Sequence, residues 1–213
     1  MKRTLLPVLV VLALAAPALA QPVDQWKVYE EGVALLEGKN GPADPRGAAE
    51  RFEQAAKLGN AWAQFKLGEL LMDGNGVGKD QKRALELFTT AADAGNPWAQ
   101  FKLGDVYVEG TLVTRDESKA RALFESSAKE GNAWAQLRLG EMYMDGRGGP
   151  RDRARAVALL EASMEQGNTF AMMVLGNLLL DSSPSRGKTL LRQAADAGNE
   201  VALRRLRQLN TGL

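Results

Sequence analysis

Four tryptophans dominate the chemistry available to this sequence. Trp26, Trp62, Trp98 and Trp134 stand 36 residues apart, and Phe170 continues the series. Followed at helical spacing, three of them open the stripes Trp62–Phe65–Glu69, Trp98–Phe101–Asp105 and Trp134–Leu137–Glu141, with Met72, Val108 and Met144 one step beyond. Residues three and four apart share a helix face, so each stripe would set an apolar anchor above a carboxylate. A row of such anchors suits recognition of a peptide, a partner helix or a stacked sugar, and tryptophan is the residue type most often found as an interface hot spot. These nine residues are the candidate partner-binding site. Two other placements of the column are open. Each indole could pack as core against the preceding helix, or be covered by the cation four residues on. Lys66, Lys102 or Arg138 over the ring would contribute about 0.5–1 kcal/mol. Duplication alone would also make the copies alike, so the four tryptophans are not four independent signals.

Catalysis finds little to work with. The chain has no histidine and no cysteine, which excludes Cys/His and Ser/His nucleophile pairs, thiolate or imidazole metal sites, and histidine acid–base chemistry. Carboxylates such as Glu69 and Glu141 are the remaining catalytic candidates, as in glycoside cleavage. Neighbouring repeats would hold them roughly a helix-pair width apart, with no evident cleft to expel water. The column Glu69, Asp105, Glu141 would instead prefer a basic partner or pair with nearby Lys and Arg. Ser185-Arg186-Gly187-Lys188 fits S-x-x-K, but no Ser-Asp-Asn or Lys-Thr-Gly follows it. Gly74 to Lys79 lacks the Walker spacing, and Asp73 with Asn75 is too sparse for a calcium loop. No catalytic residue, metal site or cofactor is expected.

The elements that position the tryptophans can be read column by column, since a fixed period decides the architecture. Gly32, Gly68, Gly104, Gly140 and Gly176 recur in register, as do Gly38, Gly74, Gly110 and Gly146, with Ser182 in the last copy. Asp44, Asp80, Asp116 and Asp152 follow, then Ser183, where the fifth copy has lost five residues. Phe52, Phe88, Phe124, Leu160 and Leu191 resume the register. The Gly-Asn pairs at 59–60, 95–96, 131–132, 167–168 and 198–199 read as helix stop followed by helix cap. The Asp/Ser column reads as the N-cap of a second helix. This predicts, in the second copy, a helix A over about 61–73 and a helix B over about 81–94. Each copy has an apolar face that only stacking can bury.

Gly-Asn-Ala-Trp-Ala-Gln-Phe-Lys-Leu-Gly (59–68), Asp-Gly-Asn-Gly-Val (73–77), Asp80, Arg83-Ala84-Leu85 and Ala91-Ala92 resemble the Sel1-like repeat, a relative of the tetratricopeptide repeat. The resemblance covers essentially all of 24–198. Copy one departs from it with Glu30-Glu31 in place of Lys-Leu, and copy five is short in its loop. The resemblance implies an all-α, right-handed αα superhelical solenoid with helix A lining the concave side. It also implies a binding or adaptor role, often in bacterial envelope signalling or secretion. Five repeats are expected at about 24–59, 60–95, 96–131, 132–167 and 168–198, and a capping helix and tail over 199–213.

The first twenty residues read as a cleavable leader: Lys2 and Arg3, an apolar stretch, then Ala18-Leu19-Ala20. The stretch is too short for a membrane span, and a lipoprotein route would need a cysteine. Removing Lys2 and Arg3 takes the formal charge from +1 to −1, which leaves no electrostatic footprint for nucleic acid. The expectation is a periplasmic or secreted, monomeric, non-catalytic scaffold that binds a protein or peptide in the bacterial envelope. The alternative is a glycan-binding protein that stacks cell-wall sugar or exopolysaccharide on the tryptophan row.

Overall fold

The computed structural model describes residues 23–211, and the leader at 1–20 lies outside them. Among the described residues there are eleven helices and no strand. The A helices are α1 (Gln25–Glu37), α3 (Ala61–Asp73), α5 (Pro97–Glu109), α7 (Ala133–Asp145) and α9 (Thr169–Leu179). The B helices are α2 (Pro45–Lys57), α4 (Gln81–Asp93), α6 (Glu117–Lys129), α8 (Arg153–Glu165) and α10 (Pro184–Asp196), and α11 (Glu200–Thr211) closes the series. Each helix packs chiefly on its neighbours in chain order, so the core runs along the array instead of around a centre.

Helix starts follow the cap columns. The Oδ1 atoms of Asn60, Asn96, Asn132 and Asn168 accept from the backbone N–H three residues on, at 2.9 to 3.2 Å. The Oδ1 atoms of Asp44, Asp80, Asp116 and Asp152 cap the B helices in the same way at 2.9–3.0 Å. Ser183 departs from this expectation. It makes no side-chain cap bond, although its N–H meets the Leu179 carbonyl at 2.7 Å just as those of Asp44, Asp80, Asp116 and Asp152 meet the carbonyls of the same column at 2.8–3.0 Å. The glycine of the Gly-Asn turn is required by its backbone: at Gly95 φ is +86°, where a Cβ is strained.

The second glycine column is required by packing. A Cβ on Gly32, Gly68 or Gly104 would stand 2.6 Å from Cε1 of Phe52, Phe88 or Phe124 respectively. These phenylalanines are fully buried. Helix A of repeats one to three therefore lies directly on the ring of its own helix B. Leu160 and Leu191 take that place in repeats four and five, with their Cγ atoms 3.0 Å from the equivalent positions on Gly140 and Gly176. Glutamine side chains pin the first turn of helix A to the preceding helix B. Nε2 of Gln64, Gln100 and Gln136 donates to the carbonyls of Ala56, Ala92 and Ala128 at 3.5, 3.2 and 3.4 Å. That turn carries the tryptophans.

Candidate partner-binding face

The aromatic column emerges from a buried helix start. Ala63, Ala99, Ala135 and Ala171 are fully buried, and the residue just before each points outward. Trp26 is 50% exposed, Trp98 39%, Trp134 40% and Phe170 45%, while Trp62 is half-buried. For large aromatic residues these are high exposures, and they recur along the array. Trp98 meets Phe101 edge-on with centroids 6.5 Å apart, and Trp26 meets Tyr29 edge-on at 6.0 Å. Trp134 and Phe170 touch across the repeat boundary at 5.8 Å, so the last two rings form one platform.

The rest of each stripe divides. Phe65 and Leu137 were expected to present themselves beside the tryptophans. Both are instead core residues, 3% and 5% exposed. Phe65 packs on Phe88 with centroids 5.9 Å apart. Phe101 is half-buried, held between Trp98 and Phe124. The reason is angular: at 3.6 residues per turn, a residue three positions on lies about 60° around the helix. That rotation is enough to turn it from the exposed edge toward helix B.

Glu69, Asp105 and Glu141 are half-buried and engaged. Lys66 Nζ bonds Glu69 at 2.9 Å, and Arg138 reaches both Glu141 and Asp105 at 3.4 Å. Burial holds the Asp105 carboxyl above the usual carboxylate range, against the lowering pull of Arg138 and Lys102. Lys66 and Arg138 are thus committed to carboxylates where their indole was one expected partner. Lys66 lies over Phe65, 5.4 Å from its centroid. The bridge from Arg138 to Asp105 crosses between repeats and was not foreseen. The signal for it was the aspartate at 105 between the glutamates at 69 and 141.

Among the described residues no cluster of histidine, cysteine, aspartate or glutamate could hold a metal ion, and no helix is long and apolar enough to cross a membrane. The sequence pattern of the Sel1 repeat matches residues 30–60, 63–96, 99–132, 135–168 and 171–199. The chain belongs to the Sel1 repeat family. A Sel1 repeat protein from Oxalobacter formigenes is similar in structure, with a TM-score of 0.78 and 27% identity over 86% of this chain and 77% of that one. A protective antigen of uropathogenic Escherichia coli displaying an SLR fold has a TM-score of 0.77 and 29% identity over 87% of this chain. The present chain spans only 41% of the antigen's length. An immunity protein from Pseudomonas aeruginosa shares the fold, with a TM-score of 0.57 and 21% identity over 85% of this chain and 70% of its own. No curated protein matches the chain. A Sel1 repeat array implies a protein-interaction role.

Proposed function

We propose that this Sel1 repeat protein is an exported, monomeric scaffold in the bacterial envelope that binds a protein or peptide along its aromatic column. The observation that carries the reading is the exposure of a large ring at the start of helix A in four of the five repeats, Trp26, Trp98, Trp134 and Phe170, the last three each followed by a fully buried alanine. Solvated indoles in a row are costly to keep, and covering them would supply most of the affinity of a modest interface. Export rests on the leader pattern at 1–20. A glycan would need hydroxyl-binding groups beside the rings. The carboxylates of this face lie about two helical turns from the indoles and are engaged by Lys66 and Arg138. That favours a protein over a sugar, and it also leaves Glu69 and Glu141 poorly placed as a catalytic pair.

The test is co-purification from an envelope extract with the mature chain as bait. Trp98→Ala combined with Trp134→Ala should weaken capture at least about a hundredfold, with helical content unchanged by circular dichroism. Undiminished capture by the double variant would remove the column from the interface. Quenching of tryptophan fluorescence by soluble oligosaccharides would favour the sugar instead.

A further inference from the structure

Successive repeats meet where a helix B packs on the next helix A and the loop that follows it. Between repeats three and four, Arg121 fills this junction and is 8% exposed. Its guanidinium carbon stands 3.9 Å from the centroid of the Tyr143 ring. Nη1 donates to the Pro150 carbonyl at 3.2 Å and Nε to Glu125 at 3.3 Å. Gly149 leaves it room, since a Cβ there would stand 2.5 Å from Nη1. Between repeats two and three, Leu85 and Tyr107 hold the corresponding positions.

The junction between repeats one and two has neither bulky residue. Ala49 stands in the column of Arg121, and Leu71 in that of Tyr143. The loop is seated alike in both, because Gly76 lies against Pro45 as Gly148 lies against Glu117. What remains is a cleft of about 480 Å³, with Ala49, Leu67, Leu71 and Val77 in its lining. Its mouth is charged and open to solvent, since Arg46, Glu50 and Arg83 are exposed. Of the carboxylates, Asp80 caps its own helix, and Glu53 is held by Lys57 and Arg83. Glu50 stands in the column of Ala122, so this junction has one carboxylate more. It meets Arg46 at 3.7 Å with the two side chains 72% and 82% exposed, a pair that contributes little.

We propose that this cleft takes an arginine side chain from a protein partner, seated as the array seats its own Arg121. The methylenes would cover Leu71 and Val77, and the guanidinium would reach Glu50 and Glu53. Glu117 already serves two guanidiniums in this way, those of Arg115 and Arg147. Arginine suits the site better than lysine, because its planar fork can bond two acceptors at once. The cleft uses the C-terminal half of α3 and the loop beyond it, while the tryptophans sit at the helix-A starts. The proposal therefore does not rest on the aromatic column.

The test is a displayed library of random twelve-residue peptides, panned on the full mature chain. The wild type enriches peptides that share an arginine. For a selected peptide, replacing that arginine by citrulline, its neutral isostere, weakens binding about tenfold, and lysine does not restore it. Ala49→Arg combined with Leu71→Tyr fills the cleft with the residues of the later junction. This double variant loses the peptides while circular dichroism shows its helices intact. Glu50→Gln, a change at an exposed position, shrinks the arginine–citrulline difference. Equal binding of the arginine and citrulline forms to the wild type overturns the proposal, as does undiminished binding by the folded double variant. Should that variant not fold, a difference untouched by Glu50→Gln overturns it instead. Trp98→Ala with Trp134→Ala leaves these peptides bound. Their loss in that variant would assign them to the aromatic column and remove the cleft as their site.

Discussion

Trp98 and Phe65 occupy neighbouring columns three residues apart in the repeat, yet they do different work. Phe65 is sealed against Phe88, so Phe65→Ala should cost about 3–5 kcal/mol through lost burial and the cavity left behind. Trp98 keeps more than a third of its surface in water and meets Phe101 edge-on, so Trp98→Ala should cost clearly less, about 1–2 kcal/mol. Urea denaturation of both variants gives the comparison. Equal losses would mean that the tryptophan column is core after all. The spacing of these residues was legible in the sequence, but the division between them was not. A helical stripe defines a face only to within about 60°, and burial depends on where the partner helix lies inside that arc. The same limit hid the bridge from Arg138 to Asp105, because the reach of a side chain across repeats depends on a backbone separation that no period specifies.

A single atom-scale fit sets each helix pair. Gly104 has its Cα against the Phe124 ring, and an added Cβ would stand 2.6 Å from Cε1. The ring is fully buried and cannot swing away. Gly104→Ala should therefore destabilise by about 1–3 kcal/mol despite the better helix propensity of alanine, because α5 must lift off α6. Adding Phe124→Leu should recover part of the loss, since repeats four and five accommodate their glycines against leucine with a 3.0 Å gap. Thermal melts of the single and double variants measure it. Recovery is the discriminating result: if the double variant is no more stable than the single, the clash is not the reason for the glycine. This level of the fold was largely readable from the sequence. The glycine, Asn and Asp columns each answer a local demand, a left-handed turn or an uncapped N–H group, that is the same in every repeat. Ser183 broke the pattern in its side chain alone, since its backbone bond to the preceding helix A is the one that the capping aspartates also make.

Along the whole array, the columns differ most at the ends. Leu67, Leu103, Leu139 and Leu175 form a buried column, and Leu67 lines a cleft with Ala49 and Glu53 of the preceding helix B. The first repeat has Glu31 in this column, exposed and paired with Arg51 at 3.5 Å. Glu31 lines a cleft of about 510 Å³ with Ala34 and Leu35, where another helix would seat in any later repeat. At the opposite end α11 keeps Ala202 buried against α10 and turns Arg204 and Arg207 toward solvent. A solenoid with apolar end faces would stack on other copies without closing, and charged ends oppose this. The exposed Glu31–Arg51 pair itself contributes no more than about 1 kcal/mol, so Glu31→Leu should leave the fold intact. It would complete an apolar face with Leu35 and Ala34, and the variant should associate at lower concentration than the wild type. Light scattering behind a sizing column, over about a hundredfold range of concentration, reads this directly. A variant that remains monomeric throughout would show that Glu31 is not what keeps this face apart, and the departure of copy one from the repeat would need another cause.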